Sequence, residues 1–422
     1  MIKKIFLGLS LLIGSTALAQ QGTASPYSFY GIGNVNFSGT NEYKAMGGIS
    51  TYSDSIHLNL KNPASFSKLK LTTFTLGGTN TSSTLKSNDI KEKANSTLVD
   101  YIAVGIPIGR FGASFGILPF SSVGYKIHSD IAVGDQKRSK DFVGEGGINK
   151  AFAGLSYSIL PNLQIGADFA YNFGDIDKSA TVFISDDGSN FFISKGSRER
   201  VKTNYSGFTF NTGLLYNRKV KGYDWHSSFT YAPETKISAE STAFLDIVQI
   251  ASNGTVNAVE TREIEAANND LTMPSKFTVG TGIGKAQKWF VGAEFTQTQN
   301  SKLKNNYLTS DMASFEDSQK YTVGGYYIPK HNSFTSYFDR IVYRAGFRFE
   351  NTGLVLDNQS INDYAFSLGA GFPVGRNLTN INLSLEYGQK GKNTNTLIQE
   401  NYFNVSVGIS LNDLWFVKRR FE

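Results

Sequence analysis

His226 and Ser228 stand two residues apart in an aromatic stretch, a spacing that puts both side chains on one face of an extended strand, as a base and a nucleophile for hydrolysis require. Trp225, Phe229 and Tyr231 take the opposite face, so the pair is expected to look into an interior. A working pair also needs a carboxylate to orient the imidazole, and the sequence assigns none. No catalytic residue is therefore expected, and the chain is read as a non-enzyme. His57, His128 and His331 lack metal-ligand spacing and are read as solvated; without a cysteine anywhere, neither metal nor cofactor is expected. The glycine-rich stretches contain no phosphate loop. Arg344, Arg348, Glu350 and Glu386 are charges at alternate positions of otherwise apolar stretches, and they are read as a polar network facing an interior, with ion selectivity as the other use of such a set.

The elements that must position these groups are strands. Phe403, Val405, Val407, Ile409 and Leu411 alternate with Asn404, Ser406, Gly408 and Ser410. Fourteen such stretches run from Leu69–Asn80 to Asn401–Asn412. Aromatics on one face and charges on the other reverse the burial of a soluble β-protein. The fold class expected is all-β: a transmembrane antiparallel β-barrel of about fourteen strands, lipid outside and polar groups inside. Connections alternate in length. Gly109-Arg110, Ile159–Asn162, Lys219–Tyr223, Lys285–Gln287 and Gly375–Thr379 are short, whereas the opposite set, such as Ile176–Asn204 and Lys236–Pro274, is long. Ile328–Arg340 is the one long connection on the short side. Trp225, Trp289, Trp415 and Phe416 lie near strand ends, where interfacial girdles form.

Lys3 and Lys4, an apolar run from Ile5 to Ile13, and Ala17-Leu18-Ala19 read as a secretory leader over residues 1–19. Its removal lowers the formal charge from +6 to +4, too weak and too scattered for a nucleic-acid role. After it no apolar segment reaches the ~20 residues of a helical span. Residues 20–66 are small and glycine-rich, with a short helix expected over Leu58–Ser65, and residues 67–422 hold the strands. The first of these segments either hangs free or folds inward as a hatch, since Ala45, Met46, Ile49, Leu58 and Phe66 give it apolar surface to dock.

The run Met46-Gly47-Gly48, then Asp54, then Asn62-Pro63-Ala64 leading into the first strand, resembles the hatch of the FadL-type outer-membrane transporters for long-chain fatty acids and other hydrophobic compounds. Gly144–Asn149 and Leu163–Gly166 are similar to that family's fourth and fifth strands, while the ending Trp415–Glu422 departs from its aromatic terminus. The resemblance implies a bacterial outer-membrane location, capture of an apolar ligand from outside, and lateral release through a kink in the third strand. Gly116, Pro119 and Phe120 are the candidates for that kink, because proline donates no ladder hydrogen bond; a plain end of pairing at the rim is the other reading. Asn62 is either an anchor for the hatch or a turn-former before proline.

The partners implied are a hydrophobic small molecule, outer-membrane lipid and a protein docked on the outer loops. The rival function is an accessory barrel of a protein secretion machinery. His226 and Ser228 keep a third reading alive, since the pair is similar to that of barrel lipid A deacylases.

Overall fold

The computed structural model describes residues 22–414 apart from 89, 134–135, 187–194, 251–254, 267–268, 304–312, 375–378 and 395. The expected leader and the terminal Trp415–Glu422 stretch lie outside the described residues.

Strand β1 is Asn34–Val35, and one helical turn, α1, is Asn41–Lys44. There follow β2 Thr72–Ser87, β3 Ile90–Ile108, β4 Phe111–Val133, β5 Gln136–Leu160, β6 Leu163–Asp186, β7 Lys195–Val220 and β8 Tyr223–Ala232. Next come β9 Thr235–Ile250, β10 Val256–Ile264, β11 Asn269–Met273, β12 Lys276–Lys285, β13 Trp289–Thr298 and β14 Ala313–Phe315. The chain continues through β15 Ser318–Tyr327, β16 Val342–Leu356, β17 Gln359–Val374, β18 Thr379–Lys390 and β19 Gln399–Asp413. Leaving aside β1, β9, β10, β11 and β14, fourteen strands pair antiparallel in a ring, closed where β19 runs along β2 from Gln399↔Lys86 to Asp413↔Thr72. Each expected strand stretch falls within or against one of these.

The faces follow from the alternation. Along β19, Phe403, Val407 and Leu411 are exposed on the outer wall while Ser406, Ser410 and Asn412 are buried inside. Inner turns are tight: Lys221 and Gly222 both take positive φ, 50° and 87°, the conformation of a type I′ turn that matches the strand twist. Trp225 and Trp289 sit near the inner ends of β8 and β13, and Trp289 packs 5.9 Å from Tyr223, as a girdle requires.

Several of the long outer connections are largely strand rather than loop. A bilayer needs about 9–11 tilted residues per strand, which the ten residues of β12, β13 and β15 just supply, yet β5 has 25 residues and β7 has 26. Lys236–Pro274, expected as a loop, holds β9, β10 and β11, and β9 pairs with the outer half of β7. Beyond the lipid both faces are solvated, so the apolar alternation fades while backbone pairing goes on. Leu58–Ser65, expected as a helix, is irregular at first; a 3₁₀ turn spans Pro63–Lys68, capped where the Ala64 amide donates to Asn62 Oδ1 at 3.0 Å.

Replacing Val407 by lysine at the middle of β19 should lower unfolding stability in lipid vesicles by about 2–4 kcal/mol. A change of a few tenths in urea titration would contradict the assigned lipid face.

Candidate functional site: the occupied lumen and a break in the wall

The N-terminal segment lies inside the ring, because its contacts go right around the circumference. Asn41 Nδ2 donates to the Asn382 carbonyl of β18 at 2.6 Å and to that of Ser406 of β19 at 3.3 Å, and the Asn41 amide donates to the Tyr101 hydroxyl of β3. Across the ring, Ser228 of β8 donates to Thr51 Oγ1 at 2.9 Å, and the Tyr326 hydroxyl of β15 donates to that of Tyr52. The 3₁₀ turn lies against β3, β4, β5, β6 and β7.

Glycines of the wall make this approach possible. A Cβ on Gly112 would strike the Phe66 backbone, one on Gly166 the Pro63 carbonyl carbon, and one on Gly324 the Met46 carbonyl oxygen. Within the segment, Gly47 has φ +71° and its amide donates to Ser367 Oγ at 2.9 Å, while Gly48 has φ +90°; Met46 is fully buried beside them. Asn62 both caps the 3₁₀ turn and donates to the Leu214 carbonyl of β7 at 3.3 Å, so it joins the turn to the wall.

The polar residues sort into separate clusters. Arg348 donates to Glu386, Asp363 and the Tyr402 hydroxyl at 3.3, 3.4 and 2.6 Å. Glu350 pairs instead with Lys320 at 3.1 Å, and Arg344 donates to Asn382 Oδ1 at 2.9 Å. Glu294 was missed by sequence reasoning. Its carboxylate accepts from the Ser50 amide and hydroxyl at 2.6 and 2.7 Å and pairs with Lys61 at 2.7 Å, which ties the segment to β13. An acid between Ala293 and Phe295 on an inner-face position was the available signal.

His57, expected in solvent, is buried, and its Nδ1 lies 2.6 Å from Asp54 Oδ2. Burial alone would depress its pKa, but the charge and hydrogen bond of Asp54 outweigh this and raise it; Asp54, which burial would raise, is lowered by the same partner. His128 and His331 are exposed, and His128 bonds Asp141 at 2.6 Å. No group of metal-ligating side chains occurs among the described residues. His226 and Ser228 do face inward, but Ser228 is spent on Thr51, and the His226 ring packs on Tyr52 and Phe290 while its Nδ1 has no hydrogen-bond partner. Among the described residues no carboxylate hydrogen-bonds the His226 ring.

The wall is interrupted at one place that bears on the lumen. Pairing of β3 with β4 runs from Ile108↔Phe111 to Ile102↔Ile117 and stops, although β3 continues back to Ile90 and β4 on to Val133. Gly116 lies just inside the paired stretch, opposite Ala103; Pro119 and Phe120 lie beyond it. A bulge between Pro119 and Ser121 removes Phe120 from register with β5, and the Phe120 carbonyl accepts instead from the Asn36 amide at 2.9 Å. Strand β1 then pairs Asn34↔Ser122 and Val35↔Ser121. Gly22 lies between the two parted strands: a Cβ on it would stand 2.6 Å from Ser122 Oγ and 3.2 Å from Leu98 Cδ1. Inside the break is a cavity of about 510 Å³, whose lining mixes Leu60, Leu118, Phe120 and Phe152 with charged side chains including Lys150, Lys276 and Arg348.

Two outcomes test this arrangement. Gly324→Leu should expel the segment while leaving a folded barrel, so Lys44 and Lys61 become cleavable by trypsin with heat-modifiable gel migration retained. The His57–Asp54 pair adds a pH dependence. The contribution of His57, whose folded pKa is raised, is complete below its unfolded value near 6.5 and is lost as pH rises through the folded value. That of Asp54, whose pKa is lowered, is lost only as pH falls through its folded value. Hydrogen exchange around residues 54–57, corrected for intrinsic rates, should therefore show protection falling as pH rises above ~6.5, and His57→Gln should flatten the response.

Solved structures with this architecture include the P. putida toluene transporter TodX, 15% identical over 90% of this chain and 100% of that one, with a TM-score of 0.59. The CymD monoaromatic hydrocarbon channel is 14% identical, covers 90% and 99%, and gives 0.58. A Pseudomonas aeruginosa FadL homologue is 14% identical, covers 90% and 98%, and gives 0.57. These likenesses support the FadL-type fold suggested by the hatch-like motif. No curated relative matches the chain. A family model described as BamG matches residues 1–422, and the chain belongs to the BamG family.

Proposed function

We propose that the protein resides in the bacterial outer membrane and transports hydrophobic, fatty-acid-like small molecules, taken up from outside and released sideways between β3 and β4. The observation that carries this reading is the end of β3–β4 pairing at Ile102↔Ile117, next to the Phe120 bulge and the cavity. Unpaired backbone in hydrocarbon costs several kcal/mol per group, so a break beside a cavity is retained for use. In this reading residues 20–66 act as the hatch, with Met46, Gly47 and Gly48 seated on the wall and Asn62, Pro63 and Ala64 turning the chain toward β2. Gly116, Pro119 and Phe120 frame the exit, and residues 22–36 stand in it. The likeness to channels for toluene and monoaromatic hydrocarbons agrees with such a cargo.

One observation favours a second reading, an accessory barrel of a protein secretion machinery: the lumen is lined by paired charges and largely occupied by a segment fastened to both β3 and β18. Deleting Phe120 should close the bulge and extend β3–β4 pairing. Under transport, uptake of radiolabelled oleate falls at least about tenfold, equivalent to about 1.4 kcal/mol on the barrier. Unchanged uptake, together with a protein partner and no organic ligand co-purifying in mild detergent, would establish the accessory reading instead.

A further inference from the structure

We infer that the lipid-facing wall between β13 and β17 holds a site for one anionic glycerophospholipid of the inner leaflet, independent of any cargo in the lumen. The outer wall there carries a pit of about 750 Å³. Its floor is Gly325 and Ala345, paired side by side across β15 and β16. Phe347 and Phe366 close it toward the outer side, and Tyr327 and Tyr343 border it toward the inner turn. Its walls are almost wholly apolar, and it lies within the band that only hydrocarbon covers.

The inner mouth of the pit is the one long inner connection. Tyr343 lines the pit, and its hydroxyl donates to the Phe338 carbonyl at 3.3 Å; the Tyr337 hydroxyl donates to the Pro373 carbonyl of β17 at 3.1 Å. The connection is thus held against the rim, with Phe334 and Phe338 exposed. Arg340 follows directly. Its guanidinium lies 5.2 Å from the Tyr337 ring, its buried Nε has no hydrogen-bond partner, and it makes no salt bridge among the described residues. The Lys330 amide donates to the Asp339 carbonyl, which places Lys330 in the same turn of backbone, while the Asp339 carboxylate accepts from Ser333 Oγ at 3.2 Å. An apolar pit whose inner border, Tyr343, is bonded to a connection carrying an unpaired guanidinium fits an acyl chain carrying an anionic phosphate, which arginine binds in a fork. Exposed aromatics beside cations are the composition of the membrane interface.

The full-length barrel, delipidated in detergent, would be titrated with phosphatidylglycerol and with phosphatidylethanolamine and read by native mass spectrometry. One phosphatidylglycerol should bind, about tenfold more tightly than phosphatidylethanolamine. Arg340→Gln should erase the preference, Ala345→Phe should fill the pit and weaken both lipids, and Ala167→Phe on the distant β6 should change neither. Equal binding of the two lipids by the wild type, or a preference that survives Arg340→Gln, would overturn the site. So would a cysteine at 345 that cross-links to another protein in intact membranes. If Ala345→Phe loses heat-modifiable migration, Arg340→Gln decides alone.

Discussion

Hydrocarbon offers no hydrogen bonds, so every backbone amide in the lipid band must find its partner within the chain, and the closure of β19 on β2 is the contact that makes this possible. From that constraint come the alternation of faces, the tight inner turns and the retention of pairing far beyond the membrane. Where the ring breaks between β3 and β4, the same constraint brings the N-terminal segment into the wall. Asn36 takes the carbonyl that Phe120 cannot present to β5, and β1 pairs with Ser121 and Ser122. The break and its filling are one structure.

Inside, burial follows the opposite rule. Two buried carboxylates of the inner face, Glu294 and Glu386, each carry a cationic partner within 3.3 Å, and Asp246 on β9 does the same above the ring. Two of these hold functional ground: Glu294 fastens the segment to β13, and Glu386 joins the cluster around Arg348. Wall glycines complete the fit by removing side chains where the segment's backbone approaches.

Strand number and faces were legible because lipid on one side and water or polar groups on the other force a period of two. The strands that stand above the membrane were not, since Ile90–Lys93 or Val256–Ile264 meet water on both faces and lose the period. His57 was misread for a related reason: its partner Asp54 is three residues away, but its burial depends on a wall assembled from the rest of the chain. The roles of Asn41 and Glu294 escaped as well, being defined only by contacts 341 and 244 residues distant in sequence. Proline's missing donor marked the neighbourhood of Pro119, where the register with β5 shifts. That the chain's own β1 would pair there was not legible, because a two-residue bridge has no pattern.

The contacts of Asn41 also fix an order of events. This residue is made early in synthesis, yet its amide group rests on Asn382 and Ser406, in the last two strands to be laid down. The segment cannot complete its final seat until β18 and β19 have formed. A residue placed early in the chain thus gets its partners only from strands placed late in it.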